Sequence, residues 1–234
     1  MLSASSSHGD LISCIYPRRI VRLRLGRPTL AVAALLQSVA AFAFLAQAYA
    51  TRDETVEVDI WLANVLHANV VPSATAVLTG VTMLGSTPGL ALVAGAAGGY
   101  LACRGRGRDA ALLVVALVGA QLLGWALKAI FERPRPSFDD PVATASWFSF
   151  PSGHAMSSIA LYGALAYVFA DRLGSVRSRV AGLGGLALLV TAIGFSRLYL
   201  GVHYLTDVLA GYSAGLAWLL LAIGVLHARS QRDA

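Results

Sequence analysis

The sequence predicts an all-α integral membrane bundle of six transmembrane helices, with interfacial helices between the first and second spans. Three observations predict it. The 234 residues are 57% hydrophobic and only 13% charged, about half the charged share of a soluble domain. Apolar runs near the roughly 20 residues needed to cross a bilayer recur along the chain. The Arg residues are grouped in the segments that separate alternate runs. This distribution argues against a nucleic-acid binder, although the formal charge is +6.

Residues 1–28 are Ser-rich, then Arg-rich, and show no clear signal-peptide cleavage site, so they read as a cytoplasmic basic N-terminal segment. Thr29 to Ala50 supplies 22 uncharged residues, too long for the apolar region of a signal peptide and long enough to span. Further runs at 86–103, 110–131, 155–170, 180–195 and 208–226 complete six spans, two of them short enough to borrow flanking residues. Residues 60–84 are also uncharged but contain Asn64, His67, Asn69 and Pro72. Charge placement decides their state. Lys and Arg favour cytoplasmic loops, and 13 of the 18 lie in 1–28, 104–109, 171–179 and 227–234. Residues 51–59 carry Asp53, Glu54, Glu57 and Asp59 against Arg52 alone. Placing 51–59 outside and 104–109 inside needs an odd number of crossings, and 86–103 is one. Residues 60–84 are therefore read as interfacial or re-entrant. One membrane domain over 29–226 results, followed by a cytoplasmic tail, 227–234. Cys14 and Cys103 form no disulfide framework or metal-type spacing and read as packing residues.

Three blocks fall on the outer face of this topology, although none was used to build it. They are Lys128-Ala-Ile-Phe-Glu-Arg-Pro-Arg135-Pro136, then Pro151-Ser-Gly-His154, then Ser196-Arg197 with His203 and Asp207. Lys128 is the chain's only lysine. Charged groups near a membrane are functional candidates by default. Snorkelling from a helix end accounts for Arg133, but not for three cations and two histidines on one face. Pro151-Ser-Gly-His154 opens the fourth span, where unpaired N–H groups and the helix dipole favour anions. There Ser152 can cap the first turn and donate its hydroxyl, and Gly153 allows close backbone approach. Alone, this tetrapeptide reads more readily as a plain helix start. His203 and Asp207 lie four apart, on one helical face. A carboxylate on one ring nitrogen fixes the tautomer and leaves the other nitrogen free to attack phosphorus, yet an isolated pair at this spacing is more often structural. Pro134 and Pro136 set the direction of Arg135. No carboxylate cluster of the kind a magnesium site uses is visible, so neither metal nor cofactor is expected.

Together the blocks resemble the signature of the type 2 phosphatidic acid phosphatase family, the lipid phosphate phosphatases. The shared pattern is Lys, six residues, Arg-Pro; Pro-Ser-Gly-His; then Ser-Arg, five residues, His, three residues, Asp, with no departure at any position. The resemblance covers about residues 29–226 and implies the family's six-span bundle in the plasma membrane, with both termini cytoplasmic and the active site extracytoplasmic. It implies that Lys128, Arg135 and Arg197 bind phosphate oxygens, beside the Ser152 hydroxyl and the Gly153 N–H. His203 would be the nucleophile that forms a phosphohistidine, Asp207 would orient it, and His154 would protonate the leaving group. The partner implied is a membrane lipid phosphate, with undecaprenyl diphosphate expected first and phosphatidylglycerophosphate or phosphatidate next. Soluble vanadium-dependent haloperoxidases carry a similar constellation, but six spans argue against that class. A non-catalytic lipid-phosphate binding or transport protein would use a basic pocket without needing both histidines. His8 and His227 fall in polar ends, and His67 reads as a headgroup-level residue. Trp61, Trp125, Trp147 and Phe148 fit an outer aromatic belt, and residues 147–150 also suit a lipid entrance.

Overall fold

The computed structural model describes residues 28–232. The basic N-terminal segment, with His8 and Cys14, lies outside the described residues. Within the described residues eight α-helices follow one another: α1 (Pro28–Thr51), α2 (Glu54–Ala68), α3 (Pro72–Met83), α4 (Thr87–Cys103), α5 (Gly107–Phe131), α6 (Gly153–Phe169), α7 (Val176–Tyr199) and α8 (Leu205–Arg232). A 3-10 turn, Ala170–Arg172, links α6 to α7. There is no strand among the described residues.

Local chemistry sets the helix starts. Asp53 occupies the N-cap of α2, and the Ser86 hydroxyl accepts the Gly89 N–H at the head of α4. Ser175 and Ser178 form a reciprocal capping box on α7, each cap replacing an N–H partner that the helix cannot supply itself. Pro72 and Pro88 stand in the first turns of α3 and α4, where no intrahelical N–H is lost.

Helix α6 is the hub: it packs against α5, α7 and α8, while α1 lies on α8, α4 on α5 and α3 on α7. The α6–α8 crossing is close because Gly211 and Gly215 turn bare backbone toward the main chain of Ser152 and Met156. Small residues four apart allow the intimate contact that drives association where lipid removes most of the hydrophobic force. Leu90, Leu101, Leu113, Leu161 and Ile193 are fully buried between helices. Leu36, Phe44, Val118, Ile130 and Leu188 are exposed on the outside. Apolar residues inside and out are the pattern of helices that face lipid.

Among the described residues, four helices are long and apolar enough to cross a membrane: Thr29–Thr51, Gly107–Phe131, Val176–Tyr199 and Leu205–Leu226. Helices α3 and α4 meet that test as a pair bent by 48°, which brings the number to five if each bent pair is one span. The expected second and fourth spans are thus short helices, α4 and α6, of 17 residues each. At 1.5 Å per residue each covers about 25 Å, below the ~30 Å of a hydrocarbon core. The stretch 60–84 divides between α2 and α3, with a turn at residues 69–71.

At one end of the bundle the basic turns meet. Arg106 Nη2 donates to the Val168 carbonyl at 3.1 Å, and Arg172 Nη1 donates to the Tyr100 hydroxyl at 3.2 Å. The opposite end carries the final turns of α5 and α7, the first turns of α6 and α8, and the 132–152 loop. All three signature blocks lie at that end.

Candidate active site

The loop that leaves α5 supplies the scaffold. It folds back on itself, with the Ser149 N–H donating to the Arg133 carbonyl at 2.8 Å and the Ser149 hydroxyl to the Pro134 carbonyl at 3.0 Å. Phe150 is fully buried and fixes the loop through stacking on Tyr49, with ring centroids 5.8 Å apart, and an edge contact to Phe131 at 4.9 Å. Main-chain carbonyls of this loop hold two of the expected cations. Lys128, in the last turn of α5, donates through Nζ to the carbonyls of Phe148 (2.7 Å) and Ser149 (3.0 Å). Arg135 reaches the carbonyls of Trp147, Val202, Ser146 and Phe148 at 2.7–3.1 Å, and its Nη1 lies 3.2 Å from His203 Nε2. Those partners match the five N–H donors that a guanidinium owns.

Arg197 ends α7, is 9% exposed, and donates from Nη1 to the Thr82 hydroxyl of α3 at 2.9 Å. Its Nε is buried without a partner among the described residues. Ser152 stands at the N-cap of α6, but its hydroxyl does not cap the turn as expected; it is buried with no partner. The Ser152 N–H donates to the Asp207 carbonyl at 2.9 Å, which pins the head of α6 to α8. A Cβ on Gly153 would meet only Lys128 Cε, at 4.0 Å, so this turn is open toward the lysine. His154 is half-buried and lines a cavity of about 90 Å³ with Lys128, Gly153, Gly85, Gln121 and Trp125. It also lies within electrostatic reach of Arg197, His203 and Arg135. The structure therefore brings all eight expected residues to one place.

His203 sits in the turn between α7 and α8, 3% exposed, with Nδ1 3.3 Å from Asp207 Oδ2. Asp207 is in the first turn of α8 and fully buried; its Oδ2 also accepts the Tyr204 N–H at 2.9 Å. With Nδ1–H directed at the carboxylate, Nε2 turns its lone pair toward Arg135 Nη1, 3.2 Å away. Burial first, and then Lys128, Arg135 and Arg197, hold His203 well below the usual histidine range, so the ring is neutral near pH 7. Burial likewise lowers the Arg135 guanidinium from its ordinary value.

Sequence reasoning missed two residues. Arg133 is not a snorkelling side chain: it is 2% exposed and donates to Asp207 Oδ1 (2.8 Å), Asp59 Oδ2 (2.8 Å) and the Thr206 hydroxyl (2.6 Å). The rings of Tyr49 and Tyr204 flank its guanidinium at 4.8 and 4.4 Å. Asp59 of α2 is 1% exposed and was legible only as one of several outer acids. Removing one partner of so buried a pair costs about 3–5 kcal/mol, which is why the two are found together. A lone acid and a lone arginine 74 residues apart gave no sequence signal of pairing. His67 stacks on Phe138 at 3.9 Å between centroids and lies 2.8 Å from Asp140. Trp61, Trp125 and Trp147 are exposed.

Fold and site together define a helical membrane protein with a basic, histidine-bearing pocket at one end of its bundle. Comparison with known proteins gives this class its family. The PAP2 superfamily model matches residues 109–231. Phosphatidylglycerophosphatase B of Bacillus subtilis is 35% identical over 149 residues, covering 63% of this chain and 73% of that protein. The decaprenylphosphoryl-5-phosphoribose phosphatase of Mycolicibacterium smegmatis is 41% identical over 88 residues, 36% of this chain and 42% of that one. The crystal structure of a PAP2-type phosphatidylglycerolphosphate phosphatase from Bacillus subtilis superposes with a TM-score of 0.75 at 31% identity, covering 82% of this chain and 94% of the other. The chain belongs to the PAP2 superfamily and is a membrane phosphatase of that family.

Proposed function

We propose that the protein hydrolyses a lipid phosphate at the extracytoplasmic face of the plasma membrane, without a metal, through a phosphohistidine. One observation carries this reading: His203 is held by the Asp207 carboxylate with Nε2 3.2 Å from Arg135, within electrostatic reach of Lys128 and Arg197. The cations, with the Ser152 hydroxyl and Gly153 N–H, hold the phosphate oxygens as charge builds in the transition state. His203 Nε2 attacks phosphorus while Asp207 keeps the proton on Nδ1. His154 gives its proton to the departing lipid oxygen, and water then releases phosphate from His203. A binding or transport protein would need the cations but neither histidine.

The bundle is proposed to cross six times, with α4 and α6 completing their crossings through flanking residues and α2 at the interface. The domain is proposed over 29–226, and the basic segments 104–109 and 171–179 face the cytoplasm, as do both termini. For the substrate we favour phosphatidylglycerophosphate, on the strength of the Bacillus relative and its 73% coverage. Undecaprenyl diphosphate, first in line from the sequence, is kept as a second reading because a relative acts on a decaprenyl-linked phosphate. Purified protein assayed against phosphatidylglycerophosphate, undecaprenyl diphosphate and phosphatidate, each with excess EDTA, tests the proposal. Phosphate release that survives chelation, with acid-labile phosphate trapped on the wild-type protein and not on His203→Ala, supports it. Activity lost to EDTA and restored by magnesium overturns the metal-free mechanism. Trapped phosphate that persists on His203→Ala overturns the nucleophile.

A further inference from the structure

We infer that Arg133 and Asp59 are a positioning pair for the reaction: Asp59 sets how firmly Arg133 holds the Asp207 carboxylate, and so the aim of His203. This rests on the reading of His203 as nucleophile and Asp207 as its orienting group. The two oxygens of Asp207 are used separately. Oδ2 receives His203 Nδ1–H and the Tyr204 N–H, whereas Oδ1 receives Arg133 Nη1. Arg133 is divided in turn, with Nη2 on Asp59 Oδ2 and Nη1 shared with the Thr206 hydroxyl. Asp59 closes the ring. Its Oδ1 accepts the Thr206 N–H at 3.0 Å and its Oδ2 accepts the Thr206 hydroxyl. Asp59 therefore caps, from another helix, the first turn of the helix that carries Asp207.

One guanidinium thus serves two buried carboxylates, and each competes with the other for its charge. Removing the Asp59 charge leaves Arg133 wholly to Asp207. The carboxylate then becomes a weaker acceptor for the imidazole N–H and stabilises imidazolium less. Removing the Arg133 charge does the reverse: Asp207 faces His203 as an uncompensated anion and favours imidazolium. The other groups facing His203 are Lys128 of α5, Arg135 of the loop, His154 of α6 and Arg197 of α7, with Tyr204 beside it. None of these is altered by either change. Both substitutions loosen the aim of the ring, and a displacement of about 1 Å from reacting geometry costs on the order of 100-fold.

The full-length protein in detergent gives the test, with Asp59→Asn, Arg133→Gln and the double variant compared with wild type. Turnover should fall about 10- to 100-fold in each single variant through kcat, with KM and inhibition by vanadate little changed. The acid limb of the kcat/KM profile should move to lower pH in Asp59→Asn and to higher pH in Arg133→Gln, and return toward wild type in the double variant. A packing defect produces no such pair of opposite shifts. Limbs that stay in place, or move together, overturn the inference. Should Arg133→Gln fail to accumulate, Asp59→Asn decides alone: a limb that does not move down overturns it. His203→Ala, run alongside, separates the two failures. If it retains turnover, the nucleophile reading is wrong; if it is inactive while the limbs stay put, only the positioning pair is wrong.

Discussion

Replacing Asp207 by Asn exchanges one carboxylate oxygen for an NH2 group and should cost the protein most of its turnover. Three donors converge on the carboxylate: Arg133 Nη1 on Oδ1, and Tyr204 N–H with His203 Nδ1 on Oδ2. An amide has one oxygen and one NH2 to offer the same positions. With its oxygen toward Arg133, the NH2 faces His203 Nδ1, which must then accept. The ring proton moves to Nε2, the atom proposed to attack. A comparable tautomer error in a serine-protease triad lowers kcat on the order of 10⁴-fold, or about 5 kcal/mol of barrier. With its oxygen toward His203, the NH2 opposes a buried guanidinium 2.8 Å away, and the residual loss is one of orientation, about 10²-fold. Either way kcat falls between about 10² and 10⁴, while Lys128 and Arg197 keep their places and KM changes little. Phosphate release from a dispersed lipid phosphate, with vanadate inhibition as a check on the folded site, measures this. A loss below about tenfold, or one carried by KM, would refute the orienting role of Asp207.

Three further outcomes are expected. In a background lacking native cysteines, a cysteine at exposed Ser137 should react with an impermeant thiol reagent in intact cells and one at exposed Ser175 should not; the reverse pattern inverts the proposed orientation. His154→Ala should abolish hydrolysis of lipid phosphates yet retain much of the turnover of an activated aryl phosphate, whose leaving group needs no proton; equal losses on both would remove His154 from the general-acid role. Because burial and three neighbouring cations depress His203, its neutral form persists as pH falls through the ordinary value near 6.5. The kcat/KM profile should therefore hold at pH 6.5 and decline only at lower pH, and an acid limb at or above 6.5 that disappears with Asp207→Asn would contradict that assignment.

The signature residues were legible because each belongs to a short block at a helix end, and helix ends can be read from apolar run lengths. Lys128 ends one run, Ser152 begins the next, and Arg197 and Asp207 flank the turn that holds His203. The lengths themselves were less legible. Helix α6 has only 17 residues, so a window tuned to full spans places it only approximately. The bend between α3 and α4 comes from Leu84-Gly85-Ser86, where the Tyr162 hydroxyl donates to the Leu84 carbonyl at 2.9 Å. The apolar stretches that end at Leu84 and begin at Ser86 already mark this break, but no local pattern announces the side chain 78 residues away that holds it. Arg133 and Asp59 were unreadable for the same reason. Each resembles an ordinary boundary charge until the fold sets them 2.8 Å apart.

The three cations also differ in a way that motif and charge do not reveal. Arg135 has its donors matched by loop carbonyls and by His203, so it acts on a bound phosphate first through its charge. New hydrogen bonds from it require the 146–148 carbonyls to release it. Arg197 has Nε free of any partner among the described residues, as does the neighbouring block's Ser152 Oγ. A buried donor left unmade costs about 1–3 kcal/mol, and both costs are relieved by an acceptor-only group such as phosphate. Affinity for phosphate is therefore expected to rest more on Arg197 and Ser152 than on Arg135. Arg197→Lys, which cannot reproduce a guanidinium's fork, should raise KM and weaken vanadate inhibition. Arg135→Lys should act chiefly on kcat, because it frees the loop that sets Lys128 and uncovers Nε2 of His203. Measuring both variants for kcat, KM and vanadate inhibition separates the two contributions. Equal effects on KM would mean that the unpaired donors do not distinguish the cations.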